Sequence, residues 1–521
     1  MKKTLRWIIY IILTSIVIYV ITLITVNSII KGKVENFLAT RLPENIKQSY
    51  EKMNLNTFEG TITLNNITVS ISDKKTKEKH TLVSLDAFII EDVSYWQYLF
   101  NKKIVIEDIK LKKPIITYYK DTYKSSKDST DSKPLKLYKD VIIEELSIDN
   151  ATLNIFDKSK DSLFLYAENV TVELDDILIN QETLKRKIPL EFSEYEVEAD
   201  SVFLKSNKFE NLTTAKIIVK HNKATLNNIT LKTKYSKAQL SKNINTERDH
   251  FNLLIPQLKI DAIDFGFKEN KLYVKSDLIT LKNPTATIYR DKLVADDPKI
   301  KPLYSKMLRN LPIALAVDVV KIENATLTYQ EKVKAGNNAG EINFDSMYAS
   351  IYNVGNIYDK AIKTEIKVKA NFMQAAPINV DWSFNVHDIS DQFLFKFDAS
   401  SLPIERLNTF TKPNLNVNIE GKIHKVYTTI SGTSNASSAD MRLNYENLKV
   451  NILTKNGNKK NKVLSAIANI FVKKDSKDEV DRFREGVANV SPDKTKSIFN
   501  YIWLNIQSGL LDTLTGDGKK D

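Results

Sequence analysis

From Phe58 onward the chain alternates apolar and polar residues. A period of two predicts strands with one apolar and one polar face. In Gly60–Ile71, Ile62 and Leu64 share a face, the pair Asn65-Asn66 shifts the phase, and Ile67, Val69 and Ile71 resume it. A β-bulge or tight bend has this effect. Lys103–Asp121 follows the same logic. Ile104, Ile106, Ile109 and Leu111 fall on one face if Glu107-Asp108 shifts the phase, which leaves Lys110 and Lys112 on a solvated back; Lys113-Pro114 then interrupts the pattern. The pattern returns in Val141–Asp157, Leu272–Asp291 and Val317–Gln330. Residues 361–452 alternate again, through Ile366, Val368 and Ala370, then Phe393, Phe395 and Phe397, then Leu415, Val417 and Ile419. Met441, Leu443 and Tyr445 close the series, with a phase shift at Asn447.

Three landmarks recur in order. Thr63-Leu64-Asn65-Asn66-Ile67-Thr68 returns letter for letter as Thr225-Leu226-Asn227-Asn228-Ile229-Thr230. The Lys112-Lys113-Pro114 break returns at Lys282-Asn283-Pro284, and Asp149-Asn150-Ala151-Thr152-Leu153 at Glu323-Asn324-Ala325-Thr326-Leu327. Their order points to an internal duplication. The expected fold is mostly β: a long curled antiparallel sheet, a groove or gutter built from that duplication. It would have an N-terminal transmembrane helix and helical caps at both ends. Roughly 20 to 24 strands about 4.8 Å apart would make it on the order of 100 Å long.

The remaining segments have other periods. Trp7–Ile30 carries no charge, follows Lys2, Lys3 and Arg6, and includes Trp7, Ile8, Ile12, Ile16, Val20 and Ile24. As a helix it would reach about 36 Å, enough for a hydrocarbon core of about 30 Å. A signal peptide would have a shorter apolar region and a small-x-small exit, whereas the exit here reads Val26-Asn27-Ser28-Ile29-Ile30-Lys31. The segment therefore reads as an uncleaved anchor with residues 1–6 cytoplasmic. Lys33–Met53 reads as helix, divided at Leu42-Pro43, and Val463–Val472 as a short apolar helix. After Ser491-Pro492-Asp493, Ile498, Phe499, Ile502, Trp503, Ile506 and Leu510 fall on one broad helical face. Packing across the end of the sheet is one reading of that face, and interfacial membrane or partner binding is the other.

These elements set the expected organisation: 1–6 cytoplasmic, 7–30 anchor, 31–55 helical cap, 56–221 and 222–360 the two β-groove repeats, 361–455 a C-terminal β region and 456–521 a helical tail.

Composition narrows the chemistry. The net charge is +12 and the pI about 9.2, yet the lysines are spread over nearly every strand at polar positions. That argues for a solvated face and against a nucleic-acid partner. There is no cysteine, which excludes disulfides and thiol chemistry. The five histidines are scattered, and no HExxH, GxSxG, GxxxxGK[ST] or GxGxxG motif occurs. Neither an enzyme site nor a cofactor is expected. Eight Asn head N-x-[ST] sequons, among them Asn66, Asn150, Asn169, Asn228 and Asn324; chance accounts for them in so Asn-rich a chain.

What remains is a long sheet with one apolar face. Two such faces usually pack together in a sandwich, but a curled repetitive sheet can leave its concave side apolar. Hydrating that side is unfavourable by about 25 cal/mol per Å², and acyl chains would occupy it instead. The candidate lining is Ile62, Leu64, Ile104, Ile106, Ile109, Leu111, Leu146, Ile148, Leu153, Leu281, Ile288, Val320, Ile322 and Leu327.

The whole chain resembles the AsmA-like proteins of bacterial envelopes. The resemblance covers the single anchor, the following helix, the strand pairs around Asn-Pro or Asn-Ala, and the C-terminal region. Ala439-Asp440-Met441-Arg442-Leu443-Asn444-Tyr445-Glu446-Asn447-Leu448-Lys449-Val450 is similar to the family's Gly-x-Met-x-Leu-x-Tyr-x-Asp-Leu-x-Val pattern, with Ala439 in place of Gly and Asn447 in place of Asp. Ile498–Trp503 resembles the tail of many members. The family is similar in build to the chorein-type repeating β-groove proteins. The resemblance implies an inner-membrane-anchored, single-pass protein with its bulk in the periplasm. Such a protein would conduct membrane phospholipids along the groove and help maintain the outer membrane, with envelope proteins as possible partners. The alternative is a non-catalytic envelope assembly or scaffold protein with a closed β core.

Overall fold

The computed structural model describes residues 27–517 apart from 37, 39, 41, 58, 95, 96, 98, 99, 102, 121–138, 158–161, 270, 455–464 and 466–471. The anchor residues Trp7, Ile8, Ile12, Ile16, Val20 and Ile24 lie outside the described residues, as does most of Val463–Val472. Among the described residues no helix is long and apolar enough to cross a membrane. Those residues are mostly β, with 23 strands in one large mixed sheet. They divide into two compact units: the chain up to Lys205 with Thr213–His221, and Ser206–Leu212 with Asn222 onward.

The first unit opens with helix α1 (residues 27–36). Strands β1 (Ile46–Ser49) and β2 (Lys52–Asn56) follow and pair antiparallel with successive halves of β3 (Thr61–Ser72). This corrects the expected helical cap over 31–55. Pro43 ends the helical stretch, and the alternating segments after it complete the edge of β3. The order continues with β4 (Lys79–Val93), β5 (Lys103–Lys112), β6 (Ile115–Tyr119), β7 (Asp140–Phe156), β8 (Leu163–Ile179) and β9 (Tyr195–Lys205). β10 (Glu210–Lys220) carries the chain onward.

The second unit holds β11 (Lys223–Thr233), α2 (Lys237–Asn243), β12 (Asp249–Asp261), β13 (Asp264–Lys268), β14 (Lys271–Lys282), β15 (Thr285–Asp291), α3 (Tyr304–Arg309), β16 (Ala314–Lys332) and β17 (Gly340–Gly355). Next come β18 (Thr364–Phe372), β19 (Ala376–Phe384), β20 (Phe393–Leu402), α4 (Ile404–Leu415), β21 (Val417–Gly432), β22 (Ser437–Ile452), β23 (Arg484–Val490) and α5 (Ile498–Thr515). The expected β region thus contains α4, and the expected helical tail contains β23. Leu415, expected to lead a strand, ends α4 instead.

The sheet is mixed where an antiparallel one was expected. β7 runs parallel to β5 and β6, and β16 runs parallel to β14 and β15. The connections 120–139 and 292–313 explain both cases. A strand that follows a long crossover can return beside its predecessor in the same direction, which a hairpin cannot do.

The two breaks are built alike. Lys113 and Asn283 take left-handed conformations, with φ of 47° and 49°. The Lys113 N–H donates to the Asp149 carbonyl (2.8 Å), and the Thr152 N–H to the Pro114 carbonyl (2.8 Å). In the second unit Asn283 donates to Glu323 (2.8 Å) and Thr326 to Pro284 (2.9 Å). Between these bonds Asn150 and Asn324 are also left-handed, with φ of 53° and 54°. Each break and its Asn-Ala landmark are therefore two sides of one joint, present once in each unit.

Candidate functional site

The pairing register shows which side chains share a face. In the first unit one row runs Leu55, Ile62, Ile90, Ile109, Leu146, Leu174 and Tyr195 across successive strands. The next runs Met53, Leu64, Phe88, Leu111, Ile148, Val172 and Val197. Ile106 aligns with Val93, Ile143 and Ile177, and Ile104 with Val141 and Ile179. Leu153 aligns with Ile116 and, through it, Val83. Ile106 and Ile109 belong to one apolar cluster, so the phase does shift at Glu107-Asp108. All nine candidates in this unit lie on one face; Leu64 and Ile106 are buried, and the other seven are half-buried.

In the second unit two rows each cross eleven strands. One reads Leu226, Leu258, Leu281, Ile322, Ala349, Val368, Val380, Phe397, Thr428, Met441, Gly486. Its neighbour reads Ala224, Ile260, Ile279, Val320, Ile351, Ile366, Trp382, Phe395, Ile430, Ala439, Ala488. Leu327 and Ile288 sit on the same face, in register with Ala286 and Phe344 and with Phe251 and Tyr329. Leu281, Ile288, Val320, Ile322 and Leu327 are all half-buried.

Burial changes along these rows. From β19 on most of the face is covered: Trp382 is 7% exposed, Phe395 8%, Met441 2% and Ile430 0%, with Phe397 half-buried between them. α5 supplies the cover through Ile498, Tyr501 and Ile502, with Leu303, Tyr304 and Leu308 beside them and Ile404 of α4 over the adjoining cluster. The stretch most like the AsmA pattern is the strand beneath this cap. Ala439, Met441, Leu443, Tyr445 and Leu448 are all nearly inaccessible. Burial pushes the Tyr445 hydroxyl up to about 12, and it donates to the Lys473 carbonyl at 3.1 Å. The phase shift at Asn447 (φ 52°) faces Gly421 (φ 116°), where a Cβ would meet the Asn447 carbonyl oxygen at 2.6 Å.

The C-terminal face needs a correction. Ile498 and Ile502 are buried and Ile506 and Leu510 half-buried, but Phe499 (61% exposed) and Trp503 (41%) stay largely exposed, Phe499 touching the sheet only edge-on at Trp382 (ring centroids 6.5 Å). Tyr501, left off the expected face, is 2% exposed. The contact uses smaller side chains, Asn505, Gly509 and Thr513, because the helix lies close to β22 and β23: an added Cβ at Gly486 would sit 2.3 Å from Thr513 Oγ1. Bulky groups cannot enter that contact, so the outer side carries them.

The opposite face of the first unit is mostly polar, apart from a row of Val105, Ile142 and Leu178, and at one level it is acidic. Glu91, Asp108, Glu145 and Asp175 are direct neighbours on four strands. Partial burial and then the charges of Asp108, Glu173 and Asp175 push the Glu145 carboxyl above its ordinary range. Lys110 relieves part of this ladder through Glu91 (2.5 Å) and Asp108 (3.2 Å). Among the described residues no group of three His, Asp or Glu side chains could hold a metal ion.

Sequence reasoning missed α2 and α4. α2 did carry a signal, the capping box Ser236-x-x-Gln239. α4 carried little, because Pro413 lies inside it and its buried face includes Asn408 and Thr411. No protein-family model matches the chain, and no curated protein matches its sequence.

Proposed function

We propose that this chain binds phospholipid acyl chains on its apolar sheet face and conducts them along it, without catalysis. On this reading Trp7–Ile30 fixes the protein in the inner membrane, the bulk lies in the periplasm, and the cargo serves the outer membrane. One observation carries the reading: the rows of the second unit continue across eleven strands, apolar but for Thr428 and Gly486 near their covered end, and up to β17 every member except the small Ala224 and Ala349 is half-buried. Uncompensated apolar surface of that extent marks a binding site rather than a solvated surface. The resemblance to AsmA-like proteins supports the same function.

The test is native mass spectrometry of the full chain extracted from a phospholipid-rich membrane. Bound phospholipid is expected on the unsubstituted protein. Leu111→Asp with Leu281→Asp should lose it while circular dichroism stays unchanged, because both side chains are half-buried on this face. An unsubstituted protein that carries no phospholipid ends the proposal.

The second reading is an envelope assembly protein with a closed core. It is favoured by the covered ends of the rows, where Ile430 and Met441 lie under α5. Photocrosslinkers at Leu111 and Leu281 separate the two: capture of protein alone supports assembly, and capture of lipid supports transport.

A further inference from the structure

The N-terminus of α5 opens beside a cavity of about 260 Å³ within the second unit. Five basic side chains line it, and two are already committed. Arg309 donates to the Val386 carbonyl (2.6 Å), the Asp388 carbonyl (3.0 Å) and Asp391 Oδ1 (2.7 Å). Lys496 bridges Glu247 (2.8 Å) and Asp296 (2.6 Å). Lys301, Lys306 and Lys494 pair with no carboxylate among the described residues; Lys494 reaches only the Asn435 amide oxygen, at 2.7 Å. Against these three stands Asp493, whose carboxylate accepts from the Thr495 hydroxyl (2.7 Å) and N–H (2.9 Å).

The helix itself supplies further donors. Ser497, the first residue before α5, makes no side-chain capping bond, so first-turn N–H groups remain for an anion at the positive end of the helix dipole. Tyr501, also in the wall, is 2% exposed, and its hydroxyl is turned to Ser437, which gives its own hydrogen to Asn505 Oδ1 (2.9 Å).

The other walls are apolar. Leu303 and Ile498 belong to the cluster under α5 that also holds Trp382, Phe395 and Ile430. At the mouth Ile300 and Ile389 are 72% and 87% exposed. Cations and helix donors beside exposed isoleucines suit an amphiphile held at its polar end. The volume falls short of the roughly 300–1,000 Å³ of sites that enclose a whole small molecule, so it fits a head group with its chains left outside.

We propose that this cavity binds the phosphate of a phospholipid head group, with Lys301, Lys306 and Lys494 and the α5 N-terminus on the phosphoryl oxygens and Ile300 and Ile389 against the first carbons of the chains. This rests on the lipid-binding reading above and adds where a head group is held.

The chain has no cysteine, so Ile389→Cys provides a single labelling site at the mouth. The full chain carrying an environment-sensitive dye there, in a neutral detergent, is titrated with dihexanoyl-phosphatidylglycerol, with dihexanoylglycerol and with inorganic phosphate. The phosphatidylglycerol should give a saturable signal, inorganic phosphate should compete, and dihexanoylglycerol should bind more weakly. Lys301→Gln with Lys306→Gln should weaken the phosphatidylglycerol by about tenfold or more, the loss of two charge-assisted contacts, and Lys301→Arg with Lys306→Arg should retain it.

Equal response to dihexanoylglycerol, or no effect of the Gln pair, overturns the site. Phosphate binding with no added affinity for the lipid overturns the head-group assignment. Because the dye reports this cavity and native mass spectrometry reports the sheet face, failure of one leaves the other readable.

Discussion

At the residue scale, asparagine does the shaping. Asn66, Asn150, Asn169, Asn228 and Asn324 all sit inside strands with φ near +50°. Asn enters that region more readily than most residues. Each resets the face of its strand, so an imperfect alternation still yields a continuous apolar row. The same five head N-x-[ST] sequons because a strand resumes after each, and Thr and Ser are common on its polar side. Asn324→Val should therefore lower stability by about 1–2 kcal/mol, since a β-branched residue resists the left-handed region. Asn324→Gly should be close to neutral, and thermal melts of the two variants provide the check. The acidic ladder makes a second prediction. A carboxyl whose folded pKa is raised destabilises the fold once pH climbs past that value, because the native state then holds a charge it disfavours. Glu145→Gln should raise the melting temperature at pH 7. The gain should shrink as pH falls through the raised value toward the ordinary 4.5.

At the element scale, strands were legible and pairings were not. Alternation located the apolar face of strands such as β3, β5, β7, β16, β18, β20 and β22, because burial on one side leaves a local mark in the sequence, but β1 and β2 read as helix. The parallel joins of β7 and β16 depend on where long connections return, which no window of residues records. The role of α5 was partly legible. Its helical period was clear, but which side packs is decided by how closely it approaches β23. That approach can be tested at two glycines. Gly486→Ala should push α5 off the sheet, because the new Cβ would lie 2.3 Å from Thr513 Oγ1 and 2.6 Å from its N. Proteolysis within Ile498–Thr515 should quicken and the melting temperature should drop. Gly509→Ala should be tolerated far better against the sheet, since its nearest neighbour there, Met441, is 3.5 Å away in ordinary contact. Equal losses from both would mean that close packing does not hold the cap.

At the scale of the whole molecule, the question is why an apolar row should be covered at one end and half-open before it. A sheet that only needed a core would cover all of it, because each uncovered Å² forgoes about 25 cal/mol. In the second unit the cover is concentrated over β19–β23, and the same rows pass through Leu258, Leu281 and Ile322 without full burial. On the proposed function, binding along the row accounts for this pattern, with the helices as its stop. A phospholipid with a diazirine in its acyl chain, incorporated in the membrane before extraction of the full chain, tests the pattern without any substitution. Crosslinked peptides should map to the half-buried stretch, at residues such as Leu258, Leu281 and Ile322. They should be absent from Phe395, Ile430 and Met441, which α5 shields. Gly486→Ala should extend the labelling into that shielded end, since a displaced helix uncovers the rest of the same row. Labelling spread evenly over both ends in the unsubstituted protein would mean that the helices are no stop, and labelling confined to exposed side chains such as Phe499 and Trp503 would mean that the row carries no lipid.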